Sequence, residues 1–403
     1  MQEDLVASDA AVLVSLDFGA ADYAESLEEL RLLAESAGVH PVAVVEGRRQ
    51  RPDPALYAGS GKVQEIAAAV EQQHAAMVIF NHDLSPAQQR NLVGKLQVRV
   101  IDRTALILDI FAQRAKSHEG KVQVELAQLR YLATRLTGLG VEMGQQKGGI
   151  GLRGPGETRL ETDRRKLAKR VDLLKDRLAK LKRQRTVQRR ARSRNDVLSV
   201  SIVGYTNAGK STLFNSLTHA RAYAANQLFA TLDTTSRRLF LPGKVASEGD
   251  AAGNGQPPAY SAPAQVVISD TVGFIRHLPH SLVAAFRSTL EETALADLLL
   301  HVVDINSPDR DEQVAEVNKV LGEIGAETIP QILVLNKIDL QGLPAGVERD
   351  EYGRIARIRL SARTGAGVDV LREVLAEIRA GFGHQEEITE SRINGIERSA
   401  MGQ

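Results

Sequence analysis

The sequence predicts a multidomain α/β protein in which two domains built on parallel sheets flank an antiparallel helical hairpin. Three observations predict it. Strand-like and helix-like patterns alternate over residues 1–114 and again over 196–381, and such alternation calls for parallel strands joined by crossover helices. Between them, over 115–195, the apolar repeat changes to steps of three and four, the spacing of one helix face. The second alternating segment also carries Gly204-Tyr205-Thr206-Asn207-Ala208-Gly209-Lys210-Ser211 where a strand runs into a helix, the context a phosphate-binding loop requires.

In the first domain, Ala11-Val12-Leu13-Val14-Ser15-Leu16 reads as a short buried strand. Residues 24–37 read as an amphipathic helix with Leu27, Leu30 and Leu33 on one face. Strands are expected at 41–46, 77–80 and 98–102, and helices at 62–73 and 86–96. In the hairpin, Val122, Leu126, Leu129, Ala133 and Leu136 form one seam, and Leu160, Leu167, Val171, Leu174, Leu178 and Leu181 the other. The glycine-rich stretch Gly148–Gly156 is the expected flexible tip. Within the third domain, Gly243–Pro263 has no apolar period and reads as a solvated, disordered insertion. Residues 382–403 read as a polar tail.

Composition bounds the function. The chain has 403 residues, enough for two or three domains, with 25% charged and 43% hydrophobic residues and a formal net charge of +1. Any nucleic-acid surface must therefore be local. One candidate exists: residues 164–194 hold about fifteen lysines and arginines and two acids. Such a run of one sign suits a phosphate backbone, and duplex RNA offers one. The near absence of aromatics there argues against single-strand stacking. The chain has no cysteine, which excludes disulfides, thiolate zinc sites and thiol nucleophiles. Met1-Gln2-Glu3-Asp4 is acidic where a signal peptide is basic, and no apolar run approaches membrane length. A cytoplasmic monomer without an integral membrane segment is expected.

The third domain carries the chemistry. In the loop Gly204–Ser211, Gly209 lets the backbone approach phosphate, Lys210 is expected on the β- and γ-phosphates, and the Ser211 hydroxyl on Mg2+. Asp270-Thr271-Val272-Gly273 follows the strand Val266–Ser269. It supplies a carboxylate for the metal through water and a backbone N–H, that of Gly273, for the terminal phosphate. The segment beyond is then a switch ordered by that phosphate. Phe274 stands where many GTPases place a glutamine to orient water, so slow intrinsic hydrolysis is expected. Between these motifs, Phe229-Ala230-Thr231-Leu232-Asp233-Thr234-Thr235 offers three hydroxyls to complete the metal shell. Asn336-Lys337-Ile338-Asp339 follows another strand. The Asp339 carboxylate can accept from the guanine N1–H and exocyclic amine, which adenine cannot match. Ser361-Ala362-Arg363 can bring backbone to the base. Guanosine nucleotides, GTP as substrate and GDP as product, are the expected ligands. A second glycine stretch, Ala58-Gly59-Ser60-Gly61-Lys62-Val63, lacks the first glycine and the Ser/Thr of a phosphate loop, and reads as a turn.

Four strings carry a resemblance: Ile101-Asp102-Arg103-Thr104, Lys121–Leu129, Lys147-Gly148-Gly149-Ile150-Gly151-Leu152-Arg153-Gly154-Pro155-Gly156-Glu157 and Glu161-Thr162-Asp163-Arg164-Arg165. With the nucleotide motifs they closely resemble the bacterial HflX GTPases over about residues 10–380. The resemblance implies a family-specific N-terminal α/β domain, a helical hairpin, and a P-loop GTPase (G) domain with a mostly parallel sheet. It selects Thr231 as the switch metal ligand beside Ser211, so that Lys210, Thr231 and Gly273 are the expected catalytic residues. It further implies a ribosome-stimulated GTPase that binds large-subunit RNA through the basic hairpin and splits or rescues stalled or idle ribosomes. The alternatives are a large-subunit assembly GTPase and a nucleotide-gated adaptor with little turnover. Three departures stand out: Thr234 where a proline is usual, the long 243–263 insertion, and a short end where many members carry a further domain.

Overall fold

The computed structural model describes residues 9–136, 155–193, 197–219, 228–241, 264–276, 290 and 292–381. The 243–263 insertion, residues 148–154 of the expected tip and the 382–403 tail lie outside the described residues. The chain divides into two compact units: residues 1–183 with 226–232 and 276–286, and residues 184–225 with 233–275 and 287–403.

The first unit begins with a four-stranded, all-parallel sheet in the order β2-β1-β3-β4. Its strands are β1 (Ala10–Asp17), β2 (His40–Arg48), β3 (Met77–Phe80) and β4 (Arg99–Asp102). Ala-Ala-Val-Leu-Val-Ser-Leu in β1 is buried along its whole length, as a central strand covered on both faces must be. The edge strand β2 instead mixes exposed and partly buried residues, with Val45 buried in the core. Helices α1 (Tyr23–Ser36), α2 (Ser60–Gln72) and α3 (Pro86–Leu96) provide the crossovers. Val63, Ile66, Val70, Leu92 and Leu96 of α2 and α3 pack on Val12, Val14, Val78 and Phe80. The start of α3 is set locally. Ser85 Oγ accepts from the Gln88 N–H at 3.2 Å, and Gln88 Oε1 accepts from the Ser85 N–H at 2.9 Å, with Pro86 behind them. This reciprocal cap satisfies donors the helix itself leaves open.

Sequence reasoning did not find α4 (Arg103–Arg114), which begins directly where β4 ends. Asp102 caps it, accepting from the Ala105 N–H at 2.8 Å. The same buried carboxylate accepts from Tyr131 Oη at 2.9 Å and from Arg135 at 2.6 Å. Burial nevertheless raises its pKa, the cap and the arginine opposing that shift. Arg103 binds Glu29 and the Asn81 side chain, and Thr104 donates to Asp83 at 2.6 Å. Ile101-Asp102-Arg103-Thr104 is therefore a structural knot. Its polar atoms tie β3, β4, α1 and α5 (His118–Leu136) together.

Helix α5 packs on α6 (Pro155–Ser193) through Val122, Leu126 and Leu129 against Val171, Leu174 and Leu178. These are the central members of both predicted seams. One boundary differs from expectation: Pro155 and Gly156 open α6 and do not belong to a loop. Proline suits the first helical position, where its missing N–H costs nothing.

The second unit holds a seven-stranded sheet in the order β10-β11-β9-β8-β5-β7-β6. Its strands are β5 (Leu198–Gly204), β6 (Thr235–Leu241), β7 (Ala264–Asp270), β8 (Leu298–Asp304), β9 (Gln331–Asn336), β10 (Gly346–Arg349) and β11 (Ile355–Arg359). Edge strands β6 and β10 pair antiparallel with β7 and β11, and the five strands between them run parallel. Helices α7 (Lys210–Thr218), α8 (Arg310–Glu323) and α9 (368–381) complete it. Leu213, Phe214 and Leu217 of α7, with Leu371 and Leu375 of α9, pack on Val200, Ile202, Leu300 and Val334.

His301 sits in the middle of β8 and is 2% exposed. Burial pushes its pKa down to about 4, so the native imidazole is neutral while the unfolded one titrates near its ordinary value of about 6.5. Its contribution is intact above that value and is lost as pH falls toward 4, because the unfolded chain then binds the extra proton. The full window is worth about 3 kcal/mol. Urea unfolding at pH 7 and pH 4.5 is expected to show a smaller acid loss in His301→Gln than in the parent chain. Equal losses would rule out this histidine as the cause.

Candidate functional site

The motif residues of the second unit converge because parallel strands deliver them to one edge of the sheet, the carboxyl edge where α/β sheets bind ligands. Gly204 ends β5, Asp270 ends β7, Asn336 ends β9, and Ser361 lies two residues beyond β11. The loop after β5 is built on backbone geometry that few residues tolerate. Asn207 and Gly209 have φ of 60° and 97°. At Gly209 a Cβ would run into the Asn336 side-chain amide, and at Gly204 into the Val302 carbonyl. Both glycines are thus required by close approach as well as by conformation.

Lys210 is 6% exposed, and its ammonium donates to the Tyr205 carbonyl at 2.7 Å. Burial pushes its pKa down to about 8, with Asp270 opposing the shift. A buried ammonium that close to neutrality gains greatly from an anion beside it. Ser211 Oγ donates to Asp270 Oδ2 at 2.7 Å, and the Asp270 carboxylate is fully buried. A hydroxyl beside a buried carboxylate is an all-oxygen donor set of the kind Mg2+ accepts. The Thr271 hydroxyl donates to the Ile202 carbonyl at 2.6 Å and fixes the start of the turn.

Gly273 lies against the loop: a Cβ there would meet Thr206 Cγ2 at 2.7 Å and Lys210 Nζ at 2.9 Å. Phe274 is 2% exposed and pairs with the loop through its backbone. The Thr206 N–H donates to its carbonyl at 2.7 Å, and its own N–H donates to the Gly204 carbonyl at 3.2 Å. The ring therefore belongs to the packing of the loop and offers no polar atom.

Asn336 joins the two halves of the site. Its amide donates to the Ala208 carbonyl at 2.8 Å, and its Oδ1 accepts from the Ala362 N–H at 2.9 Å. Asp339 Oδ1 accepts from the Ser361 hydroxyl at 2.6 Å. Lys337, with φ of 68°, pairs with Asp304 at 2.7 Å. Ile338 is buried, while Arg363 is exposed. Sequence reasoning missed Asp304 and Asn306, whose amide donates to the Lys337 carbonyl at 3.1 Å. A carboxylate closing the apolar run Leu298–Val303 was the available signal.

The candidate switch residues divide. Asp233 belongs to the second unit, whereas Phe229, Ala230, Thr231 and Leu232 group with the first. Phe229 packs edge-on against Phe111 with ring centroids 4.6 Å apart, and the neighbouring Leu228 N–H donates to Ser36 Oγ at 3.0 Å. The expected metal partners Ser211 and Thr231 thus fall in different units. The Gly59 stretch, read as a turn, instead opens α2 at Ser60. Gly59 has φ of +80° and caps α2, and Arg49 donates to the Ala58 carbonyl beneath it. Lys62 is committed to the Glu46 carbonyl and the Glu65 carboxylate.

Comparison with known proteins covers nearly the whole chain. Residues 24–112 match the family described as GTP-binding GTPase N-terminal, and 114–192 its middle region. Residues 199–337 match the family described as 50S ribosome-binding GTPase. The chain is 52% identical over 376 residues to the GTPase HflX of Escherichia coli (strain K12), covering 93% of this chain and 84% of that one. It is 47% identical over 366 residues to the GTPase HflX of Caldanaerobacter subterraneus subsp. tengcongensis, covering 91% and 79%. Among solved structures, the complex of SsGBP with GDP aligns over 93% of this chain and 99% of its own, with a TM-score of 0.50 and 25% identity.

Proposed function

The chain belongs to the HflX family of GTPases, and from that premise we propose that it splits or rescues stalled or idle ribosomes through the large subunit. It is a GTP hydrolase with a ribosome-binding GTPase domain. The observation that carries the finer reading is helix α6, on which Arg164, Arg165, Lys166, Lys169, Arg170, Lys175, Arg177 and Lys180 are all exposed. A stiff helix of 39 residues with that charge suits rRNA. In this reading the protein works as a cytoplasmic monomer, with the N-terminal domain at 1–114, the hairpin at 115–195 and the G domain at 196–381. No described helix is long and apolar enough to cross a membrane.

Residues 204–211 cradle the phosphates. Lys210 exchanges the Tyr205 carbonyl for β- and γ-oxygens, whose negative charge opposes the burial that lowers its pKa. Ser211 would hold Mg2+ directly and Asp270 would hold it through water, with Thr231 the switch residue proposed to complete its shell. Bound there, the metal would supply positive charge against that developing in phosphoryl transfer. Gly273 turns its N–H to the terminal phosphate. The segment beyond would be ordered by that contact. Asn336, Lys337 and Asp339 read guanine, with the backbone at Ser361–Arg363 closing over it. Phe274 cannot position water, so the ribosome supplies what hydrolysis lacks.

The test is to mix the protein with intact ribosomes and either GTP or a non-hydrolysable analogue, then resolve the particles on a sucrose gradient. Free subunits are expected with both nucleotides and not with GDP. Ribosomes that stay intact while hydrolysis is stimulated would overturn splitting.

A further inference from the structure

The first unit has a cavity of about 440 Å³ that the nucleotide chemistry does not use. Its place is informative. In the order β2-β1-β3-β4 the chain leaves β1 in one direction and enters β3 on the other side, so the winding reverses between β1 and β3. Open parallel sheets bind ligands outside the carboxyl ends of their strands at such a reversal. The cavity lies there. Phe18 and Asp22 on its wall follow the end of β1, and Asn81, His82 and Asp83 follow the end of β3. Its volume is that of an ordinary small-molecule site.

The wall chemistry narrows the ligand. Phe18, Tyr57 and His82 form an aromatic cluster. Phe18 stands edge-on to Tyr57 and to His82, with centroids 5.9 and 5.3 Å apart, and Tyr57 and His82 are 5.4 Å apart. Tyr57 is held at φ of 58° by paired backbone bonds with Asp53, an unfavourable conformation for a bulky side chain and one associated with functional sites. The charges are unequal. Arg103 is matched by Glu29, and Asp22 by Arg276 at 3.3 Å. Asp83 accepts the Thr104 hydroxyl but remains an exposed carboxylate at the cavity wall. Among the described residues, Arg103 is the only Lys or Arg on that wall, and its two terminal nitrogens are taken up by Asn81, Glu29 and the Arg276 carbonyl.

We propose that this cavity binds a small organic cation, its flat or methylated head against the Phe18, Tyr57 and His82 rings and its charge paired with Asp83. Rings with a carboxylate beside them attract such cations through the negative face of the π-system as well as by charge. This site is independent of the guanine nucleotide site and does not rest on the ribosomal reading.

The probe is benzamidine, a flat ring bearing an amidinium, titrated into the full-length protein by isothermal calorimetry with GDP present. The expected result is saturable binding that Asp83→Asn weakens by about tenfold or more. The variant amide can still accept the Thr104 hydroxyl, so the loop is retained. Phe18→Leu, which keeps an apolar side chain, is expected to weaken binding as well. The far-ultraviolet circular dichroism spectrum and the unfolding transition should be the same in all three proteins, which reports folding. Absence of saturable binding, equal affinity in the Asp83→Asn protein, or tighter binding of adenosine or ATP at this site would each overturn the proposal.

Discussion

Asp339→Asn is expected to lower kcat/KM for GTP by about a thousandfold or more and to make xanthosine triphosphate the better substrate. The Ser361 hydroxyl holds one carboxylate oxygen of Asp339 at 2.6 Å, which fixes how the group is presented. Guanine offers two donors on that edge, the N1–H and the exocyclic amine, and a carboxylate accepts both. An amide keeps one acceptor but sets its NH2 against a donor, which leaves both partners desolvated and unpaired. Sites built to hydrogen-bond a substrate reject the mismatched analogue by about 10⁴ or more. Xanthine replaces the amine with a carbonyl and restores the match. Because the amide oxygen still accepts from Ser361, the loop does not need to move. Competition between the two nucleotides in a turnover assay checks this, and an unchanged preference for GTP would mean that the base is read elsewhere.

The parts of the fold legible in the sequence were those specified locally. β1, α3 and the loop after β5 each follow from a continuous apolar run, a capped amphipathic run, or a glycine spacing. Hidden parts were those made by residues distant in sequence. Helix α4 opens with no break after β4, and only the Asp102 cap marks its start. The roles of Asp102 and Arg103 depend on Tyr131, Arg135 and Glu29, far away along the chain. Asp304 could be suspected from the strand it ends, but its pairing with Lys337 required the order of β8 and β9. Phe274 was legible as a missing polar group. That its backbone also occupies the Thr206 N–H emerged only from the pairing across the loop.

Replacing Arg164, Arg165, Lys169 and Arg177 together by glutamine is expected to weaken binding to the large ribosomal subunit by about a hundredfold or more near 0.1 M salt. All four side chains are exposed on α6. They are also free to be changed without disturbing the hairpin. The seam of Val171, Leu174 and Leu178 is untouched, the Arg170–Glu125 pair at 2.6 Å is kept, and glutamine has nearly the helix propensity of arginine and lysine. In the proposed reading their contribution comes from releasing counterions from RNA phosphate. Each cation removed from a phosphate should therefore take roughly one unit off the slope of log affinity against log salt. That slope separates direct phosphate binding from a general loss of fold. A merely destabilised hairpin would bind more weakly with the slope unchanged, and its helical circular dichroism would fall. Co-sedimentation with large subunits over a range of potassium concentrations reads both quantities. Intrinsic GTP hydrolysis without ribosomes should match the parent, since none of the four touches the nucleotide motifs, while stimulation by ribosomes should fall with affinity. If affinity and slope both stay at parental values, α6 does not meet the RNA, and the charge on this helix is a solvated face.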